Sequence, residues 1–198
     1  MKDGTACRTT RVSAIRRASL LLAALTLTAC GSDDKAGEFY TLWDLDGGCN
    51  STRPGAVRRD AKDRIVEVCD LADSRWIWVT YAAPWCSASR KQAPAVNRLT
   101  RTGRRDFDVF VVLTSRDEVF TPASRNHASA WTGAYGFAPG RVLYESEDGT
   151  RTLPQHLLIG PDGRTWYRYI GYLDTNEMQR LLDDFASGAR TPNVRELP

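Results

Sequence analysis

Two nearly continuous apolar runs, Trp76 to Tyr81 and Phe107 to Leu113, constrain this chain more than any other feature. Runs of this kind, without polar alternation, suit strands buried on both faces of a mainly parallel sheet. Parallel neighbours need a crossover between them. Ser87 to about Thr102 supplies it, with Ala93, Val96 and Leu99 at helical spacing and a stop at Gly103. A second helix is predicted from Thr121 as N-cap, with Pro122 at the first helical position, to about Tyr135. Gln155 to Ile159 and Thr165 to Ile170 read as an antiparallel hairpin about the turn Gly160-Pro161-Asp162-Gly163. A last helix begins near Asp174, with Glu177 as capping-box partner and Met178, Leu181, Leu182 and Phe185 on one face before Gly188. Upstream, Phe39 to Leu42 and Arg64 to Val68 read as strands flanking a turn-rich segment. The pattern is α/β, and 198 residues with 42% apolar and 26% charged content fit one globular domain, placed at residues 39–188. Residues 189–198 read as a flexible tail.

Residues 1–29 have the build of an export signal. A basic stretch ends at Arg16 and Arg17, and an apolar stretch follows from Ala18 to Ala29, too short to span a bilayer. It closes on Leu27-Thr28-Ala29-Cys30, which resembles the lipobox of bacterial lipoproteins, in which the cysteine is lipidated and becomes the first mature residue. The expectation is a signal peptide over 1–29, a lipidated tether over 30–38, and an extracytoplasmic protein held to a bacterial membrane through Cys30. Five of the 27 basic residues and one of the 24 acidic ones lie in that signal, which leaves 22 against 23. A mature charge near neutrality argues against nucleic acid as the partner.

Processing also changes the cysteine count. Cys7 leaves with the signal and Cys30 carries lipid, so Cys49, Cys69 and Cys86 remain. In an oxidising compartment two of the three can pair. Cys49 with Cys69 is the candidate structural disulfide, closing a loop worth ~3 kcal/mol in the chain-entropy picture; the alternative is that both are buried thiols.

That leaves Cys86, in Pro84-Trp85-Cys86-Ser87-Ala88-Ser89, between the first buried strand and the first helix. A sulfur at a helix N-terminus lies near unpaired backbone N–H groups and the positive end of the helix dipole, which favour the nucleophilic thiolate. The hydroxyl of Ser89 is placed to donate a further hydrogen bond to it, and Arg90 and Lys91 add positive charge.

Trp85-Cys86-x-x-Ser89 after an apolar strand, Pro94 within the helix, Leu153-Pro154 before a strand, and Pro161-Asp162-Gly163 in the hairpin together resemble a thioredoxin-like domain. The type they look like is the membrane-tethered, extracytoplasmic thiol-disulfide oxidoreductase related to cytochrome maturation (TlpA/ResA-like). The resemblance covers Phe39 to Phe185. It implies a three-layer sandwich, a mixed central sheet with helices on both faces and an added N-terminal strand pair. It also implies a cis peptide bond before Pro154, whose preceding backbone faces the sulfur, and a substrate-binding role for Trp85, Leu153 and Pro154. No cofactor is implied.

The departures from that pattern are equally specific. Ser89 replaces the second cysteine, so no disulfide forms within the motif, and a hydroxyl does not resolve a mixed disulfide. Thr80 occupies the strand position where some relatives carry a buried acid. Two readings follow. Cys86, with Ser89, works as a monothiol on protein or small-molecule thiols and disulfides of the envelope, and an external thiol releases the product. Alternatively the domain has lost turnover and is a binding or scaffold module for an envelope protein. A metal site is not expected: one sulfur stands in the motif, and the two histidines are His127, on the solvated side of a helix, and His156, read as a hydrogen-bonded structural residue.

Overall fold

The computed structural model describes residues 58–67, 75–115, 118, 121–144 and 152–192. The readings made on Cys30, Phe39 to Leu42, Cys49, Cys69, and the signal, tether and extreme C-terminus lie outside these residues.

The elements are β1 (Arg58–Asp60), β2 (Ile65–Val66), β3 (Trp76–Ala82), α1 (Ser87–Thr100), β4 (Phe107–Leu113), α2 (Arg125–Tyr135), β5 (Val142–Tyr144), β6 (Gln155–Ile159), β7 (Thr165–Ile170) and α3 (Thr175–Ala186). The strands form one sheet in the order β2-β1-β5-β4-β3-β6-β7, in which β3, β4 and β5 are parallel and the other pairings antiparallel. Both apolar runs are central strands, buried at every position. Because β3, β4 and β5 step across the sheet in one direction, right-handed crossovers bring α1 and α2 onto the same side.

Side-chain alternation divides the core in two. Trp76 and Trp78 of β3, with Val109 and Val111 of β4, join Val96 and Leu99 of α1, Trp131 of α2, and Met178, Leu182 and Phe185 of α3. The opposite face collects Ile77, Val79, Tyr81, Phe110, Val112 and Leu157, and with them Cys86 and Leu153. The one charged residue in β4, Asp108, is buried on this second face, where Arg75 Nη1 (2.6 Å) and Arg141 Nη1 (2.5 Å) each donate to one of its carboxylate oxygens.

Most predicted elements occur where the sequence places them. The capping box of α3 is present: Asp174 accepts from the Glu177 N–H at 2.8 Å, and Glu177 accepts from the Asp174 N–H at 2.7 Å. Two expectations need correction, and two short strands carry no signal in the sequence. The N-cap of α2 is Ser124 rather than Thr121, because Thr121 closes a turn on Glu118 instead, its hydroxyl donating to that carbonyl at 2.6 Å. The strand predicted over Arg64 to Val68 is Ile65–Val66 within the described residues, and its partner is β1, Arg58–Asp60, a segment not read as a strand. Its charged sequence carries no apolar signal. Asp60 holds that turn, accepting from the Lys62 N–H (2.8 Å), the Arg64 N–H (3.0 Å) and Arg64 Nε (2.7 Å). The short β5 also went unread.

Gly160 opens the turn between β6 and β7 for a packing reason. A Cβ there would lie 2.3 Å from Trp166 Nε1, and that indole packs edge-on against Trp76 with centroids 4.9 Å apart. Gly160→Ala is expected to cost roughly 1–3 kcal/mol through displacement of Trp166. Chemical denaturation reads it; an unchanged midpoint would mean that the indole swings away freely.

Candidate functional site

The candidate site lies where β3 ends. Ala83, Pro84 and Trp85 make a tight turn closed by the Cys86 N–H on the Ala83 carbonyl at 3.1 Å, and Cys86 becomes the N-cap of α1. The Arg90 N–H donates to the Cys86 carbonyl at 3.1 Å, starting the helix. No acid stands in the first turn, and Pro94 lies inside a helix that runs on to Thr100.

The chain returns to this point at Leu153-Pro154, joined by a cis peptide bond. Cys86 Sγ donates to the Leu153 carbonyl at 3.6 Å, bridging 67 residues of sequence. On the far side of the proline, the Gly171 N–H donates to the Pro154 carbonyl at 3.0 Å. Residues 86, 153 and 154 are therefore together, an arrangement the resemblance implies and residue spacing alone does not, and Trp85 stands beside them with its indole N–H donating to Ser115 Oγ at 2.6 Å.

Two features differ from the expectation. Cys86 is 0% exposed, and its sulfur accepts no capping hydrogen bond from α1. A carbonyl oxygen accepts a proton, so the contact with Leu153 is made by a thiol, not a thiolate. Ser89 does not reach the sulfur either: its hydroxyl is fully buried and has no hydrogen-bond partner among the described residues. The reason is directional, since the thiol is turned across the sheet end toward Leu153, whereas Ser89 lies on the buried side of α1.

Three arrangements escaped the sequence reading. Gln92, at helical spacing from Ser89 and Val96, clasps the backbone before α3: its Nε2 donates to the Leu173 carbonyl at 2.8 Å and its Oε1 accepts from the Leu173 N–H at 2.9 Å. Gln155, immediately after the cis-proline, is fully buried, and neither the oxygen nor the nitrogen of its amide has a hydrogen-bond partner among the described residues. Leaving such a group unpaired costs about 1–3 kcal/mol. The third is a buried polar chain. His156 pairs with Thr80 in the β3–β6 register. Its Nε2 contacts the Gly171 carbonyl at 3.1 Å, and its Nδ1 meets Thr80 Oγ1 at 3.1 Å and Trp78 Nε1 at 3.3 Å. The carbonyl requires Nε2–H, so Nδ1 is the acceptor and the ring is neutral. Burial pushes its pKa down to about 3, against a smaller upward pull from the Gly171 carbonyl. Thr80, at the position where the resemblance leads one to expect a buried acid in some relatives, is thus bound to a neutral imidazole. Among the described residues, no group of three or more His, Cys, Asp or Glu side chains is placed to hold a metal ion.

A parallel β3-α1-β4 unit with a cysteine capping its helix, facing a cis-proline at the start of an antiparallel hairpin, narrows the architecture to one. The fold is thioredoxin-like. No protein-family model and no curated protein matches the sequence, but solved structures share the architecture. A thioredoxin-family thiol:disulfide interchange protein of Chlorobium tepidum superposes with a TM-score of 0.52 at 13% identity, over 67% of this chain and 97% of that one. An exposed lipoprotein thioredoxin of Streptococcus pneumoniae gives 0.52 at 15% identity, over 65% and 97%. A hypothetical protein of Sinorhizobium meliloti gives 0.58 at 15% identity, over 75% and 92%. At these identities the likeness is one of thioredoxin-like fold, and the chemistry must be argued from this chain's own residues.

Proposed function

We propose that the protein is an exported thiol-disulfide oxidoreductase that works through the single sulfur of Cys86. The observation that carries this is the sulfur's place: at the head of α1, 3.6 Å from the carbonyl that precedes cis-Pro154. The thiol:disulfide interchange activity in the name of the Chlorobium structure, and the lipoprotein in that of the Streptococcus one, support the reading and its extracytoplasmic, Cys30-anchored setting. Among the described residues no helix is long and apolar enough to cross a membrane.

In the first step Cys86, as thiolate, attacks one sulfur of a partner disulfide. The partner's S–S bond breaks, a mixed disulfide to Cys86 forms, and the departing sulfur takes up the proton that Cys86 released. Ser89 cannot attack that bond productively. An external thiol therefore does: its sulfur joins the partner, its proton goes to Cys86, and the resting thiol is restored. With Cys86 fully covered, its neighbours Pro84, Trp85 and Ser87, which keep part of their surface, must yield before a partner can approach.

That same burial favours a second reading, in which the sulfur is a structural thiol and the thioredoxin-like domain binds an envelope protein without turnover. Capture of mixed disulfides separates the two. Because nothing inside the motif resolves the intermediate, the wild-type protein is expected to hold partners covalently on non-reducing gels, and Cys86→Ser to hold none. Empty lanes for both, with alkylation of Cys86 only after unfolding, would establish the binding module instead.

A further inference from the structure

The outward face of α1 is basic from end to end. Arg90, Lys91 and Arg98, with the C-cap Arg101, lie in one exposed stripe together with Ser87 and Pro94, and no acidic residue interrupts it. Eleven residues at the helical rise place Arg101 roughly 16 Å from Arg90. Within the described residues these charges meet polar groups and a ring rather than carboxylates. Arg90 donates to the Pro84 carbonyl, Arg98 to the Thr175 hydroxyl and Arg101 to the Gly136 carbonyl, while Lys91 lies 5.2 Å above the exposed ring of Tyr172. Among the described residues none of the four meets a carboxylate at salt-bridge distance. Arginines nearby are treated differently: Arg104 is bound by Asp106 and Asp183, and Arg75 and Arg141 share Asp108.

Helix stability does not explain the pattern. Arg90 and Lys91 stand toward the positive end of the helix dipole, where carboxylates are favoured and cations are not. Nor does the overall charge, since the chain without its signal is close to neutral. The stripe begins at the turn that leads into Cys86 and is flanked there by Tyr172, one of two large apolar side chains exposed among the described residues.

We propose that this face is a docking surface for an acidic segment of the polypeptide that reacts at Cys86. The proposal rests on the redox reading above and adds to it the chemistry of the partner. A strand-like stretch of about five residues spans the stripe, with carboxylates over Arg98 and Arg101 and the reactive sulfur beyond Lys91. A peptide fits better than an anionic membrane because the cations lead in single file to the cysteine and carry an aromatic ring at that end, whereas a bilayer presents a plane.

Two measurements on the full mature chain test this. In the first, a labelled, thiol-free glutamate-rich peptide is titrated by fluorescence anisotropy; it is expected to bind, a lysine-rich counterpart not, and the affinity to fall at least about tenfold from low to high salt as the field is screened. Arg98→Glu/Arg101→Glu removes the binding. In the second, a cystine peptide with glutamate flanks is expected to form the mixed disulfide at least about tenfold faster than one with lysine flanks at low salt. The double variant abolishes that preference while its rate with neutral 2,2′-dipyridyl disulfide is unchanged. Equal binding of the two peptides, or indifference to the double variant, overturns the proposal. So does binding to phosphatidylglycerol vesicles, with the same dependence on Arg98 and Arg101, in place of the peptide. If Cys86 fails to react with the dipyridyl reagent yet the acidic peptide still binds, the redox reading falls and the docking surface stands; the reverse result leaves the chemistry and removes the surface.

Discussion

Acidification from pH 6.5 to about 4.5 is expected to lower the unfolding free energy by on the order of 2 kcal/mol, through His156 alone. The sign follows from where the proton goes. In the unfolded chain the imidazole titrates near its ordinary 6.5, whereas in the folded protein burial holds it neutral down to about 3. Within that window the unfolded state binds more protons, so stability is complete above pH 6.5 and falls as the pH drops toward 3, by at most ~1.4 kcal/mol per unit. Protonation at Nδ1 would also oppose the Trp78 indole N–H, a donor with no acceptor to offer. The depressed carboxyls act in a lower range. Asp60, where hydrogen bonds from Arg64 and Lys62 outweigh burial, and Asp106, held down by Arg104, lose their contribution only below the ordinary carboxyl range. Denaturation midpoints of wild type and His156→Gln over this interval read the effect. The amide keeps a donor and an acceptor without titrating, so its profile should be flat even if its stability at neutral pH is lower; a wild-type profile as flat as the variant's would show that the imidazole is not held neutral.

Trp78→Ala is expected to destabilise the protein by about 3–5 kcal/mol, a large share of the roughly 5–15 kcal/mol that keeps a typical domain folded. Trp78 is 0% exposed in a central strand, packs in the core beside Leu158, and its N–H serves both Thr80 and His156. Truncation removes the packing and opens a cavity that strands held on both sides cannot close. Trp78→Phe separates the terms: it keeps most of the packing and deletes only the donor, and because Thr80 can still donate to His156 Nδ1 its cost should be nearer ~1 kcal/mol. Equilibrium urea unfolding of the two variants measures the difference. A cost for Trp78→Ala below that of Trp78→Phe would contradict the core assigned here.

Both predictions rest on the register between β3 and β6, and this is where sequence and structure part. Trp78, Thr80 and His156 can each be read singly, as a buried aromatic, a missing acid and a structural histidine. Their junction depends on antiparallel pairing of residues 76 positions apart, and no local pattern encodes such a pairing. Local signals work where chemistry and position coincide. Unbroken apolar runs identify β3 and β4, Gly160 to Gly163 the hairpin, and Asp174 with Glu177 the start of α3. They fail where tertiary contacts decide: β1 is charged and held by its neighbours and by Asp60, and β5 is three residues attached to β4.

For the site, the sequence by itself determined that one sulfur heads a helix after a buried strand, that no second thiol stands within its motif, and that a proline follows at the return of the chain. These are matters of residue type and spacing. Only the tertiary structure decided that the thiol turns to the Leu153 carbonyl and is covered, that Ser89 finds no hydrogen-bond partner among the described residues, and that four cations share one exposed face of α1 with no carboxylate of those residues beside them. Burial, hydrogen-bond direction and the presence or absence of a countercharge are properties of neighbours in space, which the order of residues along a chain does not specify.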